Sequence, residues 1–237
     1  MAKTVFLSAA IGGLVGAAAS AAIFYSAAPQ LMGERLVRAS LLEHPEIILE
    51  AGDVLRDRQY APLIEANRAL LETPFEGAVQ GASADDADVV MVEFYDYACG
   101  YCRQTKPDVD RLVKEDDKLR VVYRELPVLG PDSIIAARAS LAAAKAGKFT
   151  TFHDFLYAQG TPNEETITAA LAEVGLTLED ARDPAFEAEL QKNFELANAL
   201  GASGTPVFVI GNRVINSADG YDAYKQAIEA ARRSAQS

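Results

Sequence analysis

The 237-residue chain holds two cysteines, Cys99 and Cys102, separated by Gly100 and Tyr101. Their spacing limits what they can do. A disulfide between them closes a very short ring, and loop-closure stabilisation is least for such rings, so a structural staple is a poor use of the pair. A structural zinc site wants four ligands, and the two histidines, His44 and His153, are scattered far from the cysteines and from each other. Covalent haem wants a histidine directly after the second cysteine, where this chain has Arg103. Redox exchange of thiols and disulfides remains. Two thiols can also hold Cu(I), so a non-catalytic protein- or copper-binding scaffold stands as the alternative.

Exchange needs one thiol activated and the other shielded. Residues 89–95, VVMVEFY, are mostly apolar and β-prone and read as a strand. A helix is expected from Cys99 to about Glu115. Cys99 then falls at a helix N-terminus, where unpaired N–H groups and the helix dipole favour a thiolate. The thiolate is the species that attacks a disulfide. Cys99 is expected to be the exposed nucleophile, and Cys102, one turn inward, the shielded thiol that resolves the mixed disulfide. Glu93 interrupts the apolar strand. It is either a strand-end acid that reaches solvent or a buried carboxylate, whose pKa would rise through lost hydration. Tyr95, Tyr97 and Tyr101 surround the pair, as substrate contacts or as packing aromatics.

Further elements are needed to hold this unit. LRVVYREL, residues 119–126, reads as a second strand, and residues 131–200 as a helical block in which Asn163, followed by Glu164 and Glu165, caps one helix. TPVFVIG and NRVINS form a β-hairpin about Gly211-Asn212, and YDAYKQAIEAARRSA closes the chain as a helix. Residues 76–88 are small and acidic and read as a linker or as an edge strand plus turn. This order is α/β and builds a small mixed sheet with helices on its faces. Ahead of it, residues 31–72 read as helical, with Pro45 opening a second helix. Ile47, Ile48, Ala51, Val54 and Leu55 form an apolar stripe there, which must bury itself against the main domain or another subunit.

Basic residues number 22 against 34 acids, a net charge of −12, which disfavours nucleic acid as a partner. Residues 4–30 carry no charged side chain, and only Lys3 precedes them. The run exceeds the ~7–15 residues of a signal core and reaches the ~20 that span a bilayer. It reads as a cleaved secretory signal or as a retained anchor within residues 4–28. Ser26-Ala27-Ala28 offers a cleavage site, but Pro29 follows it. Either reading exports the rest of the chain. The expected organisation is a leader at 1–30, a helical extension at 31–74 and one domain at 75–237 with a helical insertion at about 131–200.

The strand–CGYC–helix unit, Pro107 within that helix, and Gly204-Thr205-Pro206-Val207-Phe208 together resemble the thioredoxin fold. The long helical block between the second strand and Pro206 is similar to the DsbA-like branch of thiol:disulfide oxidoreductases. The N-terminal stretch, including LLEHPEIILEA, resembles the extension of ScsC-type members. The resemblance implies a cis peptide before Pro206 and a substrate groove at Thr205 and Pro206, with Gly100 and Tyr101 beside it. It implies that Glu93 takes the proton of Cys102. It also implies a periplasmic setting, protein substrates, a membrane redox partner, and no organic cofactor or metal. DsbA carries Pro-His between its cysteines, whereas Gly100-Tyr101 is the pair of the isomerase DsbC. Cys99 is therefore expected to be less acidic than in DsbA, leaning toward isomerisation or reduction. A homo-oligomer through residues 31–72, with Ile48, Ala51 and Leu55 at the contact, would suit isomerisation.

Overall fold

A computed structural model describes residue 33 and residues 35–235. The leader expected at 1–30 lies outside the described residues. Among those described, no helix is long and apolar enough to cross a membrane. Contacts divide the chain into two compact units, Met1–Leu55 and Arg56–Ser237, with the division inside a helix.

The first unit is helical where it is described. Helix α1 covers 35–43 and ends at the His44-Pro45 step, after which α2, Glu46–Glu72, begins. Proline fits the break because it restricts the preceding residue and starts a helix well. Ile48 and Leu55 are each 60% exposed, and Ala51 is exposed as well.

The larger unit is built on a five-stranded sheet. Its strands are β1 (Val79–Gly81), β2 (Val89–Tyr95), β3 (Leu119–Glu125), β4 (Val207–Ile210) and β5 (Arg213–Ile215). Their order across the sheet is β1-β3-β2-β4-β5, and only β2 and β3 run parallel. The small acidic stretch after residue 76 thus supplies an edge strand. Gly211 turns the β4–β5 hairpin with a φ of 59°, and a Cβ there would meet Ala231 at 2.8 Å, so only glycine fits.

Both faces of β2 are covered, which is why it reads as a nearly continuous apolar run. Side chains alternate across a strand. Met91 and Tyr95 join Tyr123 and Phe208 in a core with α3 (Gly100–Glu115), α5 (Phe149–Ala158) and α8 (Tyr221–Ala235). Val92 and Phe94 join Val207 and Val209 in a second core. There they meet Ile64 and Leu71 of α2 and Leu196 of α7 (Pro184–Ala199). The last turns of α2 are therefore part of the domain. Arg124 of β3, almost fully buried, fixes them by donating to Leu71 O at 3.1 Å and Thr73 O at 2.7 Å. It also reaches Asn193 at 2.8 Å and Glu189 at 3.2 Å, both on α7.

The helical block is α4 (Pro131–Lys145), α5, α6 (Glu164–Glu173), a short 3₁₀ turn at Asp180–Arg182, and α7. Asn163 caps α6 as expected: its side chain accepts from Thr166 N at 3.0 Å, and Thr166 Oγ1 accepts from Asn163 N at 2.9 Å.

Candidate functional site

The site lies where β2 ends and α3 begins. Cys99 is the N-cap of α3, and its sulfur accepts from Cys102 N–H at 3.4 Å. Cys102, Thr105, Val109 and Leu112 recur at helical spacing and bury one face of α3. Pro107 lies inside the helix and, lacking an N–H, frees the carbonyl one turn back. Both cysteines are free thiols.

The two thiols differ in acidity rather than in exposure. Cys99 is only 5% exposed and Cys102 fully buried, so the expected contrast of an open and a closed thiol is corrected. Cys99 is tucked beneath the Thr205 carbonyl, to which its thiol donates at 3.2 Å. Its pKa is lowered to about 5, chiefly by a hydrogen bond from the Cys102 thiol, with the Thr205 side chain and backbone groups of Cys102 and Tyr101 adding to it against the cost of burial. Burial, and the loss of that same donated hydrogen bond on ionisation, push Cys102 far above an ordinary thiol.

Glu93 is buried on the face of β2 that carries Met91 and Tyr95, beneath α3. It does not reach solvent. Its pKa is raised to about 8, mainly by burial; Lys106 opposes the rise, while Asp110 and Cys99 add to it. It also acts electrostatically on Cys102.

The Thr205-Pro206 peptide is cis and immediately precedes β4. A cavity of about 480 Å³ lies against it, lined by Tyr101, Gln104, Gly204, Thr205, Pro206 and Ser217 among others. Gly204 also borders a second cavity of about 170 Å³ with Leu126, Val128 and Phe194. Tyr101 is 65% exposed beside the first cavity. Gly100 is exposed in the first turn of α3, off that lining. Tyr95 and Tyr97 are packing residues, stacked edge-on with ring centroids 5.2 Å apart. His153 is buried among them, with Nδ1 3.0 Å from the Tyr97 hydroxyl. Among the described residues no group of three or more His, Cys, Asp or Glu side chains could hold a metal ion.

Two buried acids beside the site escape the reading of the sequence. Asp96 follows β2 directly, and its carboxylate binds backbone N–H groups. Glu125 ends β3 and accepts from the Tyr95 hydroxyl. Glu125 had a signal: like Glu93, it is an acid at the end of a β-prone run.

A strand–CxxC–helix unit facing a cis-proline on a mixed sheet defines a thioredoxin-fold protein with a redox-competent dithiol. The chain belongs to the thioredoxin family, whose model, described as thioredoxin, matches residues 76–230. Residues 34–61 match the copper resistance protein ScsC N-terminal domain. A thioredoxin-like oxidoreductase from Silicibacter pomeroyi DSS-3 is 36% identical with a TM-score of 0.64, covering 70% of this chain and 96% of that one. ScsC from Proteus mirabilis in a transitional conformation is 27% identical with a TM-score of 0.67, covering 88% and 99%. The Na(+)/H(+) antiporter NhaA of Herminiimonas arsenicoxydans is 34% identical over 173 residues, 69% of this chain and 27% of the antiporter. The chain thus spans about a quarter of that curated relative.

Proposed function

We propose that this chain is an extracytoplasmic thiol–disulfide oxidoreductase acting on protein substrates, leaning to isomerisation or reduction. One observation carries the reading: the two thiols are split, with Cys99 lowered to about 5 and Cys102 held protonated by burial. The Cys99 thiolate attacks a substrate disulfide, forms a mixed disulfide and releases one substrate thiolate. Cys102 then gives its proton to Glu93 and attacks the Cys99 sulfur. The Cys99–Cys102 disulfide forms and the second substrate thiolate leaves. Two electrons pass to the substrate, and the reverse sequence oxidises it.

The charge balance suits this order. The Cys99 thiolate is one of the influences that raise Glu93. Once Cys99 is tied up in the mixed disulfide, that repulsion is gone. Glu93 becomes the stronger acid and stands ionised more often when a base is needed.

Thr205 and Pro206, with Tyr101 at the rim, form the groove in which the backbone of an extended polypeptide pairs. The leaning in direction rests on Cys99, whose acidity lies between thioredoxin at about 7 and DsbA at about 3.5. That supports a potential between about −270 and about −120 mV. A membrane redox partner resets the dithiol. The apolar stripe at Ile48, Ala51 and Leu55 joins copies into a homo-oligomer, which brings several dithiols to one substrate and raises effective concentration.

The deciding experiment equilibrates the chain with glutathione and assays it on insulin and on a scrambled disulfide protein. A potential in the stated window, with re-pairing of the scrambled substrate, supports the reading. A chain that exchanges with neither substrate overturns it. Sedimentation of residues 30–237 against 56–237 tests assembly: an oligomer that becomes a monomer supports the stripe, and two monomers end it.

A second reading, Cu(I) capture by the thiol pair, is favoured by the match to the copper resistance ScsC domain. It needs both thiolates, and the burial that keeps Cys102 protonated works against it.

A further inference from the structure

Asp96 is almost fully buried between the two cysteines and a loop about thirty residues downstream. Its carbonyl accepts from Cys99 N–H at 3.0 Å. Its carboxylate accepts three further N–H groups. Oδ1 takes Ala98 at 2.8 Å, within the cysteine turn, while Oδ2 takes Val128 at 2.9 Å and Leu129 at 3.0 Å.

The sequence shows why a carboxylate is used there. Pairing of β2 with β3 runs on to Leu126, whose N–H reaches Tyr95 O at 2.8 Å. Pro127 follows and has no N–H to continue the ladder. The next donors, Val128 and Leu129, bend off the sheet, and buried N–H groups must find an acceptor. Asp96 supplies it. The side chains of those residues point the other way: Val128 is 44% and Leu129 55% exposed, and Val128 lines the smaller cavity with Phe194.

We propose that Asp96 is a positioning residue that couples the cysteine turn to the 127–129 loop, so that a polypeptide pressing on Val128 and Leu129 alters how Cys99 is held. The inference rests on the reading that polypeptide substrates lie along this groove. The loop is then more than a docking surface. Binding there is transmitted through the two oxygens of the Asp96 carboxylate to Ala98 and onward to Cys99.

The test uses the full chain and three readouts. Asp96→Asn keeps the shape but leaves one acceptor oxygen for three donors. The midpoint of Cys99 alkylation should rise by about one pH unit, which is about tenfold less thiolate below the midpoint. A residue acting only through its negative charge would do the opposite, so a midpoint that falls or stays overturns the proposal. On reduced polypeptide, Val128→Ser with Leu129→Ser should slow exchange about fivefold in the native background and less than about twofold beside Asp96→Asn. Effects that simply multiply overturn it. If both Asp96→Asn and Asp96→Ser fail to fold, hydrogen exchange on the native chain decides. The amides of Val128 and Leu129 should exchange at rates at least about threefold apart between the reduced and disulfide states, and equal rates overturn the coupling. Alkylation and hydrogen exchange require no turnover, so a chain inactive on every substrate defeats the functional reading while these two still judge Asp96.

Discussion

Glu93 and Glu125 are two buried carboxyl groups on neighbouring parallel strands, on the same face of the sheet and paired with Tyr123 and Tyr95 respectively. They look alike by burial and differ in what faces them. Glu93 lies within reach of Lys106 and the two cysteines, which leaves it titrating at about 8. Glu125 faces the hydroxyls of Tyr95 and Ser140, and burial drives it well above the carboxylate range with the charge of Asp96 adding to the push. Burial alone therefore does not make a working acid. A nearby cation and the neighbouring thiols set Glu93 apart from Glu125.

The largest expected effects come from the sulfur atoms on the Glu93 side. Cys99→Ser should abolish exchange, while Cys102→Ser should accumulate mixed disulfides through Cys99, seen as adducts by non-reducing electrophoresis and mass spectrometry. Alkylation of the reduced protein that marks Cys102 before Cys99 would reverse the assigned roles.

The next largest effects separate Glu93 from Glu125. Glu93→Gln should slow resolution of the mixed disulfide by about 10² while affecting the first attack much less. Glu125→Gln alters a carboxyl bonded to the Tyr95 hydroxyl rather than facing the cysteines and should leave both steps within about threefold. Stopped-flow traces that separate the steps between about pH 6 and about pH 9 decide it. Equal losses in the two variants would erase the distinction.

The stability of the reduced protein should sharpen it. Both carboxyls have folded pKa values above their unfolded ones. Each stabilising contribution is therefore complete below the unfolded value of about 4.3 and is lost as pH rises toward the folded value. The advantage of Glu93→Gln over the native chain should grow with pH and level off near about 8. The advantage of Glu125→Gln should likewise grow as pH rises above about 4.3, because burial raises that carboxyl too. Urea unfolding at a series of pH values measures both curves.

A further pH effect concerns Cys99. Its depressed pKa stabilises the reduced form most above the unfolded thiol value, and that contribution fades as pH falls through about 5. The stability gap between reduced and disulfide forms should therefore shift toward the disulfide form as pH falls from about 8.5 toward 5. The same urea series checks it, and a gap independent of pH contradicts a low Cys99 pKa.

Much of this was legible in the residues because the central strands announce themselves. VVMVEFY is covered on both faces and reads as a strand, Asn163 declares a helix start, and a carboxylate in an apolar run invites the question of what surrounds it. LRVVYREL carries Arg124 and Glu125 in the same way, but charges at the end of a strand look like a solvent-facing end. Their partners on α2, α4 and α7 come from distant sequence. Asp96 was invisible for the same reason: hydrophobic period says where a strand runs, not which distant N–H groups a loop acid will collect. The helical character of 46–72 was plain from its lack of breakers, whereas the burial of Ile64 and Leu71 against the sheet depends on a surface assembled from β2, β4 and α7.

Arg124 also bears on how this protein can be divided. The thioredoxin family match begins at residue 76, yet the guanidinium on β3 spends its hydrogen bonds on carbonyls at 71 and 73. A cut at the family boundary would strand a buried cation without those acceptors, a far costlier loss than trimming a surface helix. A graft that exchanges the N-terminal segment for another has to be joined no later than Arg56. Splicing at residue 76 would yield a domain that keeps Arg124 but lacks the end of α2 that it holds, and a chimera that failed there would be reporting on a severed tether rather than on redox chemistry.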